Sequence, residues 1–487
     1  MIKQIRYWLW LLILVKLFPA ALYSQQNNTF YLMHQVPQSN LLNPAVQIDC
    51  KWFIGIPALT STQLNYSNTA FSFNDVLGGG NIDINSLNSN VHKTDLLASE
   101  LHLDLISIGY HYNEYYVTFN IAEKINIAAT YPGDLVGLAW QGNAQFIGET
   151  AKLNNLRTNT SYYREYALGV SKIIDQYSTY GIRAKLLFGK LGIYSGKSEM
   201  SLYTDPTTYD LHLEGDITLN SSLPLTVNQD VDGSITGVTL DEIDIMGTLF
   251  NSDNKGFAVD LGGIYRYDEY LTFSGSILDL GFIRWKTTPN NIHIQGSFDF
   301  EGTGMGSEFN SNGYILELRD SIVNAFTQDV THDNFYSWLP LQIYLGAMYQ
   351  YLPKLGIGAV NRNVIYRNKL HSSLTLSANT TLWNKFSAVL SWSYLNNTYK
   401  NIGLGLAWHS RGLQIHMVSD NLLGVFKPLD ARNLNLRFGF SILLGCPKNR
   451  KDPVKINKYS TGDENANCSW QEKLEEKYKK KKKALNK

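Results

Sequence analysis

Charge is scarce in this chain of 487 residues. Lys, Arg, Asp and Glu make up 17% of it, against about 25% in an average soluble domain. The 42 cationic and 42 anionic side chains cancel, so no overall basic character is left for binding nucleic acid. Cysteine is scarcer still, with only Cys50, Cys446 and Cys468. So sparse and odd a set is not expected to be a disulfide framework, and its spacing fits no zinc site. Past the N-terminus no stretch reaches 18 consecutive apolar residues, which excludes helical membrane spans. Nucleotide motifs are missing, since Gly78-Gly79-Gly80 lacks the Lys and Ser or Thr of a phosphate loop. Neither His371-Ser372-Ser373 nor His409-Ser410 carries a nucleophile signature. No catalytic residue is therefore assigned, and the chain is expected not to be an enzyme.

What is abundant is hydrophobic residues (44%), Tyr (30) and Gly (38). That is too apolar and aromatic for a disordered chain. At the N-terminus Lys3 and Arg6 precede an apolar run that ends in small residues before Gln25. This pattern describes a secretory signal peptide over residues 1–24, cleaved after Ser24. Its apolar run is shorter than the roughly 20 residues that a bilayer span requires. No Cys stands at the cut, so a lipid-anchored N-terminus is not expected.

The body of the chain alternates with period two. In 434–445 one face reads Leu434, Leu436, Phe438, Phe440, Ile442, Leu444 and the other Asn435, Arg437, Gly439, Ser441, Leu443, Gly445. The stretches 373–382, 385–394 and 401–409 divide the same way. Successive side chains of a strand point to opposite faces, so each stretch has one apolar face and one small or polar face. The links between them are very short, which makes an antiparallel meander. The strands run to about 10–14 residues, against about 5–6 in soluble proteins, and roughly 9–11 tilted residues cross a bilayer. Many apolar faces end in Tyr or Trp, as at Trp392, Tyr394 and Trp408, and aromatics gather at membrane interfaces. The opposite faces carry Arg183, Lys185, Asp260, Arg266 and Arg437 among Gly, Ser and Thr, which suits a lumen. His416 reads as a lumen or wall residue. The expected fold is all-β: an antiparallel up-and-down transmembrane β-barrel with apolar residues facing lipid.

Fourteen strands are expected, at 62–73, 101–112, 114–130, 163–174, 178–194, 255–267, 270–286, 338–351, 354–366, 370–382, 385–395, 400–409, 411–419 and 432–445. The number is even, as single-chain bacterial barrels require. With both chain ends in the periplasm, one rim receives only tight turns and the other receives the long segments 74–100, 131–162, 195–254 and 287–337. The expected organisation is a signal peptide at 1–24, an N-terminal segment at 25–61 partly plugging the lumen, a barrel at 62–446 and a basic periplasmic tail at 447–487.

Charge is unevenly placed. Setting aside the three cations of the leader, and the 13 cations and 6 acids of the tail, residues 25–446 keep 26 cations and 36 acids. Segment 195–254 alone holds 11 acids and a single cation, Lys197. Within it Asn228, Asp230 and Asp232 precede Gly233, an alternation resembling the first half of a calcium loop. Thr239 stands where the bidentate Glu belongs, and a solvated polar turn is the plainer reading. The tail ends in Lys479 to Lys483. A basic end suits contact with an acidic periplasmic partner or anionic lipid heads.

Three stretches carry a family resemblance. They are Leu32-Met33-His34-Gln35-Val36-Pro37-Gln38 with Leu42-Asn43-Pro44-Ala45, Asp260-Leu261-Gly262-Gly263-Ile264-Tyr265 with Asp279-Leu280-Gly281-Phe282-Ile283-Arg284-Trp285, and Val418-Ser419-Asp420-Asn421-Leu422-Leu423-Gly424 with 431–439. Together the chain resembles a family of Bacteroidota outer-membrane barrels of unknown function. That family is distantly similar to fatty-acid-transporter-like barrels and to barrel subunits of the type IX secretion and gliding apparatus. The resemblance implies an outer-membrane location in a Gram-negative bacterium and no catalytic residues. Two roles follow as expectations. The first is a structural or accessory anchor for a surface or periplasmic protein assembly. The alternative is passive transport of hydrophobic or small solutes.

Overall fold

A computed structural model describes residues 27–446, except positions 73, 76–90, 93, 232, 302–320, 322–324, 353, 367–368, 383–384, 396–397 and 411. The expected leader at 1–24 and the expected tail at 447–487 lie outside the described residues. In chain order the strands are β1 (Trp52–Gly55), β2 (Thr62–Asn68), β3 (Asp95–Tyr112), β4 (Tyr115–Tyr131), β5 (Thr150–Lys152), β6 (Arg157–Ile173), β7 (Ser178–Thr204) and β8 (Leu211–Ser222). They continue with β9 (Leu225–Gln229), β10 (Ile235–Leu240), β11 (Asn254–Arg266), β12 (Leu271–Trp285), β13 (Pro289–Phe300), β14 (Phe326–Thr331) and β15 (Phe335–Trp338). The last are β16 (Leu341–Leu352), β17 (Leu355–Tyr366), β18 (Lys369–Leu382), β19 (Phe386–Leu395), β20 (Thr398–His409), β21 (Leu413–Ser419) and β22 (Asn433–Leu444).

Fourteen staves close into an antiparallel barrel. β1 and β2 together form the first stave, because both pair with β3 on one side and β22 on the other. β15 and β16 share another stave, both pairing with β12. All fourteen strands expected from the alternation are present. The wall begins earlier than Thr62, since Trp52 already pairs with Leu444 and Tyr110.

The faces are arranged as a lipid solvent demands. Leu186, Leu345 and Leu390 are each 57% exposed on the outside, while Arg183 is 2% and Asp260 0% exposed on the inside. Small polar residues such as Ser373, Thr375 and Thr381 fill the inward positions of β18, and Leu370, Leu376 and Leu382 project outward from it. Exposed Tyr112, Tyr115, Tyr177, Tyr267, Tyr270 and Tyr351 ring the rim of tight turns, and Tyr336, Trp338, Trp392 and Tyr399 mark the other. These two girdles bound the apolar band. No described helix is long and apolar enough to cross a membrane.

Two expectations change. The described residues of segments 195–254 and 287–337 are largely strand. The 27-residue β7 continues past the barrel and pairs with β8, which pairs with β13, and β13 with β14. β9 and β10 form a separate hairpin. In β8 both faces are largely half-buried, so little burial contrast accompanies its alternation. The second correction concerns cysteine. Cys50 and Cys446 form a disulfide with their Cα atoms 4.0 Å apart at a sequence separation of 396. They flank the first and last staves, which only closure makes neighbours. Cys468 lies outside the described residues.

Two tests follow. Leu390→Arg places a charge on the lipid side and should cost about 2–4 kcal/mol at mid-depth. A urea folding titration into vesicles measures it, and an unchanged midpoint would contradict the outward orientation. Replacing Cys50 and Cys446 by Ala should lower stability by roughly 2–5 kcal/mol. It should also abolish the mobility difference between reduced and non-reduced gels; equal mobility of the parent protein would mean free thiols.

Candidate functional site

The barrel interior is the candidate site. Residues 27–50 run through it and touch staves around most of the circumference. Thr29 N donates to Asp420 Oδ1 at 2.7 Å, and the Thr29 and Ser391 hydroxyls lie 2.6 Å apart. Asn28 Nδ2 donates to Ser373 Oγ at 2.9 Å. Further along, Ser276 Oγ donates to the Leu42 carbonyl at 2.6 Å, and Gln47 Nε2 to Ser171 Oγ at 3.1 Å. At the lower rim a His111 ring nitrogen meets the Ile48 carbonyl at 2.7 Å. The apolar side chains of this segment make a small core inside the polar lumen: Phe30, Tyr31, Leu32, Met33, Val36 and Leu42 pack with Leu278, Tyr344, Met348 and Val360. Tyr31 stacks on Tyr344 with ring centroids 4.8 Å apart. The wall makes room by dispensing with side chains. A Cβ on Gly358 would fall 2.3 Å from Leu32 Cδ1, and one on Gly405 2.6 Å from Met33 Sδ. His34 is buried with the segment, and desolvation lowers its pKa to about 4, so the imidazole stays neutral at neutral pH. Burial also raises the Tyr31 phenol.

Below mid-height three cations and three carboxylates interlock. Lys185 Nζ lies 2.6 Å from Asp279, 2.8 Å from Asp260 and 3.7 Å from Glu165. Lys124 reaches Glu165 at 2.7 Å, and Arg183 reaches Asp260 at 3.2 Å. Arg183 also donates to the Asn40 carbonyl at 2.6 Å and the Leu41 carbonyl at 3.2 Å. The network thus holds the segment as well as the wall. Arg437 stands 4.7 Å from the Phe30 ring centroid and donates to Ser61 Oγ and Asn27 Oδ1, each at 3.3 Å. Arg362 lies over Tyr344, 5.3 Å from its centroid, and donates to Gln342 at 2.8 Å.

The charged residues expected in the lumen, Arg183, Lys185, Asp260, Arg266 and Arg437, are all buried, as is His416. The structure unites the first three and adds Lys124, Glu165 and Asp279, which the sequence reading did not single out. Asp279 turns inward through a bulge: the β11–β12 register shifts between Val259 and Leu261, and Asp279 takes a φ of 61°. Its N–H donates to Asp260 Oδ1 at 2.8 Å. The calcium-loop candidates are elsewhere. Asn228 lies in β9, Asp230 starts the turn to β10 with its carbonyl accepting from Gly233 N at 3.0 Å, and Asp232 lies outside the described residues. His371 is buried in the wall near Ser373, which is engaged by Asn28.

Above the segment a cavity of about 380 Å³ remains, within the size range of small-molecule sites. It is lined by Asn159, Tyr194 and Tyr366 from within and by Leu280, Trp338, Leu339 and Pro340 from the wall. Here the β12 ladder is interrupted between its pairings to β15 and β16. Pro340 has no N–H to offer, and Leu339 N to Gly281 O at 3.0 Å is the bond that bridges the gap.

The profile of a family of unknown function, DUF5723, matches residues 44–420. No curated protein matches. Among solved structures, the Ralstonia pickettii toluene transporter TbuX aligns at 9% identity over 84% of this chain and 94% of its own, with a TM-score of 0.38. A TodX monoaromatic hydrocarbon channel mutant aligns at 9% over 87% and 97%, TM-score 0.35. A Pseudomonas aeruginosa FadL homologue aligns at 9% over 88% and 100%, TM-score 0.34.

Breaking one partner of a buried ion network costs about 3–5 kcal/mol. Lys185→Met should destabilise by that amount in urea unfolding, and adding Asp279→Asn should recover part of the loss. Additive losses would mean that the two groups act independently.

Proposed function

Because this chain belongs to the DUF5723 family, whose function is unknown, we propose its role from geometry: an outer-membrane barrel for passive passage of small or hydrophobic solutes, plugged by residues 27–50. The cavity at the interrupted β12 ladder carries this reading. Its inner side is polar and charged, through Arg157, Asn159, Asp279 and Tyr366, and its wall side is apolar, through Leu280, Trp338 and Leu339. A solute with an apolar body and a polar end suits such a lining. The lower lumen is filled by the segment, so the route from the cavity runs sideways past Pro340 or downward after the segment moves. Its hold on the wall within 27–49 is entirely noncovalent among the contacts described above, which permits release.

The anchor role expected first from the sequence rests on the acidic outer extension and the basic tail. Neither explains a cavity beside a break in the wall, and the transport reading does. In this proposal the leader at 1–24 is removed on export and the tail at 447–487 stays in the periplasm. The extension beyond β7 is the outer surface, where Asn228, Asp230 and Asp232 remain a calcium-loop candidate, and contacts with a surface or periplasmic protein are secondary to passage.

Liposome swelling and planar-bilayer conductance test it. Deleting residues 25–49 should open a conducting pore while the parent protein conducts weakly. Leu280→Trp should narrow the cavity and slow uptake of a small aromatic solute. A deletion variant that inserts but stays sealed would remove the transport reading.

A further inference from the structure

The outer wall carries a cationic row at one height. The register sets Arg164 of β6 against Phe188 of β7, and Phe188 against Lys255 of β11. Gly256 pairs with Ile283, so Lys255 and Arg284 of β12 face each other one position on, and Arg284 pairs with Tyr336. Lys286 follows two residues above Arg284, exposed. Immediately below runs an unbroken apolar row, in which Leu186 pairs with Phe257, Phe257 with Phe282, and Phe282 with Trp338. The cations therefore stand at the upper edge of the lipid-facing band.

They are not balanced in the same way. Arg164 is held by Glu123 at 2.5 Å. Among the described residues, no carboxylate lies within ion-pair distance of Lys255, Arg284 or Lys286. The Arg284 guanidinium carbon lies 5.9 Å from the Tyr336 ring centroid, and its Nε is buried without a hydrogen-bond partner. Unpaired cations are costly in hydrocarbon, but at its edge they meet lipid headgroups. Beside the row, the short helix Ile245–Phe250 exposes Ile245, Met246 and Phe250, and the Phe250 ring centroid is 5.9 Å from the Arg164 guanidinium carbon. Greasy side chains at this level match the start of an acyl layer.

We propose that Lys255 and Arg284, with Lys286 above them, form a binding site for the phosphorylated headgroup of an outer-leaflet lipid. The phosphate sits between the two facing cations. The acyl chains lie along Leu186, Phe257 and Phe282. Charge complementarity and the continuous apolar row below select a lipid phosphate over a free one, which has nothing to place on that row. The inference rests on the outward orientation of the wall and not on what crosses the lumen, so its failure would leave the transport reading intact.

Native mass spectrometry of the full chain in detergent, titrated with lipid A (a bisphosphorylated, acylated disaccharide), tests it. The parent protein should retain the lipid. Binding should weaken roughly fivefold for each charge neutralised in Lys255→Gln/Arg284→Gln and in Lys286→Gln. The fully dephosphorylated disaccharide should not bind, and millimolar inorganic phosphate should not compete. Lys354→Gln/Lys385→Gln, at the opposite rim, should bind as the parent does. A heat-modifiable gel shift confirms that each variant is folded, and the single Lys286 variant serves if the double one is not. Undiminished binding by the folded row variants, full competition by inorganic phosphate, or equal loss in the opposite-rim variant would each overturn the site.

Discussion

Backbone amides in hydrocarbon have no water to bond, so every N–H and C=O in the wall must find a partner in the wall. The pairing of β22 with β1 and β2 meets that demand by leaving no edge. Closure then dictates the side chains. Period two sends alternate residues to lipid and to an enclosed centre, and the centre of a fourteen-stave barrel is too wide to be filled by inward Ser, Thr and Gly. Water or protein must occupy it. Here the occupant is the chain's own residues 27–50, carrying Phe30, Tyr31, Leu32 and Met33 into a polar lumen as a core in miniature. The disulfide belongs to the same logic, since Cys50 ends that segment and Cys446 follows the last stave.

The ion network is the second consequence of closure. Six ionised groups removed from water would be prohibitive singly, and they persist because they come in balanced number and mutual contact. Lys185 touches three carboxylates, and Arg183 also donates to the Asn40 and Leu41 carbonyls of the segment. The same guanidinium that neutralises Asp260 therefore also seats the occupant. Transport through this barrel would have to break contacts of modest individual strength with the segment while leaving the wall's own pairs intact. After the carbonyls of Asn40 and Leu41 are released, Arg183 still keeps its pairing with Asp260.

Much of the fold was legible because burial and polarity coincide in the wall: Leu, Phe and Trp alternating with Ser, Thr and Asn can only mean two faces. The outer extension was not read as strands for the opposite reason. In β8, Leu211, Leu213, Ile217 and Leu219 alternate with polar residues, yet both faces are partly solvated, and the segment was placed among the long links of the outer rim instead. Asp279 was missed as a lumen residue because parity counted from Phe273 and Ile277 points it outward; one extra residue in β12 reverses the count. Cys50 and Cys446 were unreadable as a pair because their adjacency exists only after the barrel has closed.

The bulge that redirects Asp279 also places a wall defect next to the cavity. An extra residue on one side of β12 and a proline on the other remove ladder bonds from the same short stretch, residues 279–281 opposite 339–341. A wall needing only closure would gain nothing from weakening two neighbouring ladders at one height. The arrangement makes sense if that stretch must yield, because a gap bridged by Leu339 N and Gly281 O opens at lower cost than a fully bonded ladder. The inward carboxylate of Asp279, tied to Lys185, anchors the bulge from inside so that yielding stays local. The ion network and the cavity are thus two sides of one irregular strand, and the function proposed for the barrel depends on both.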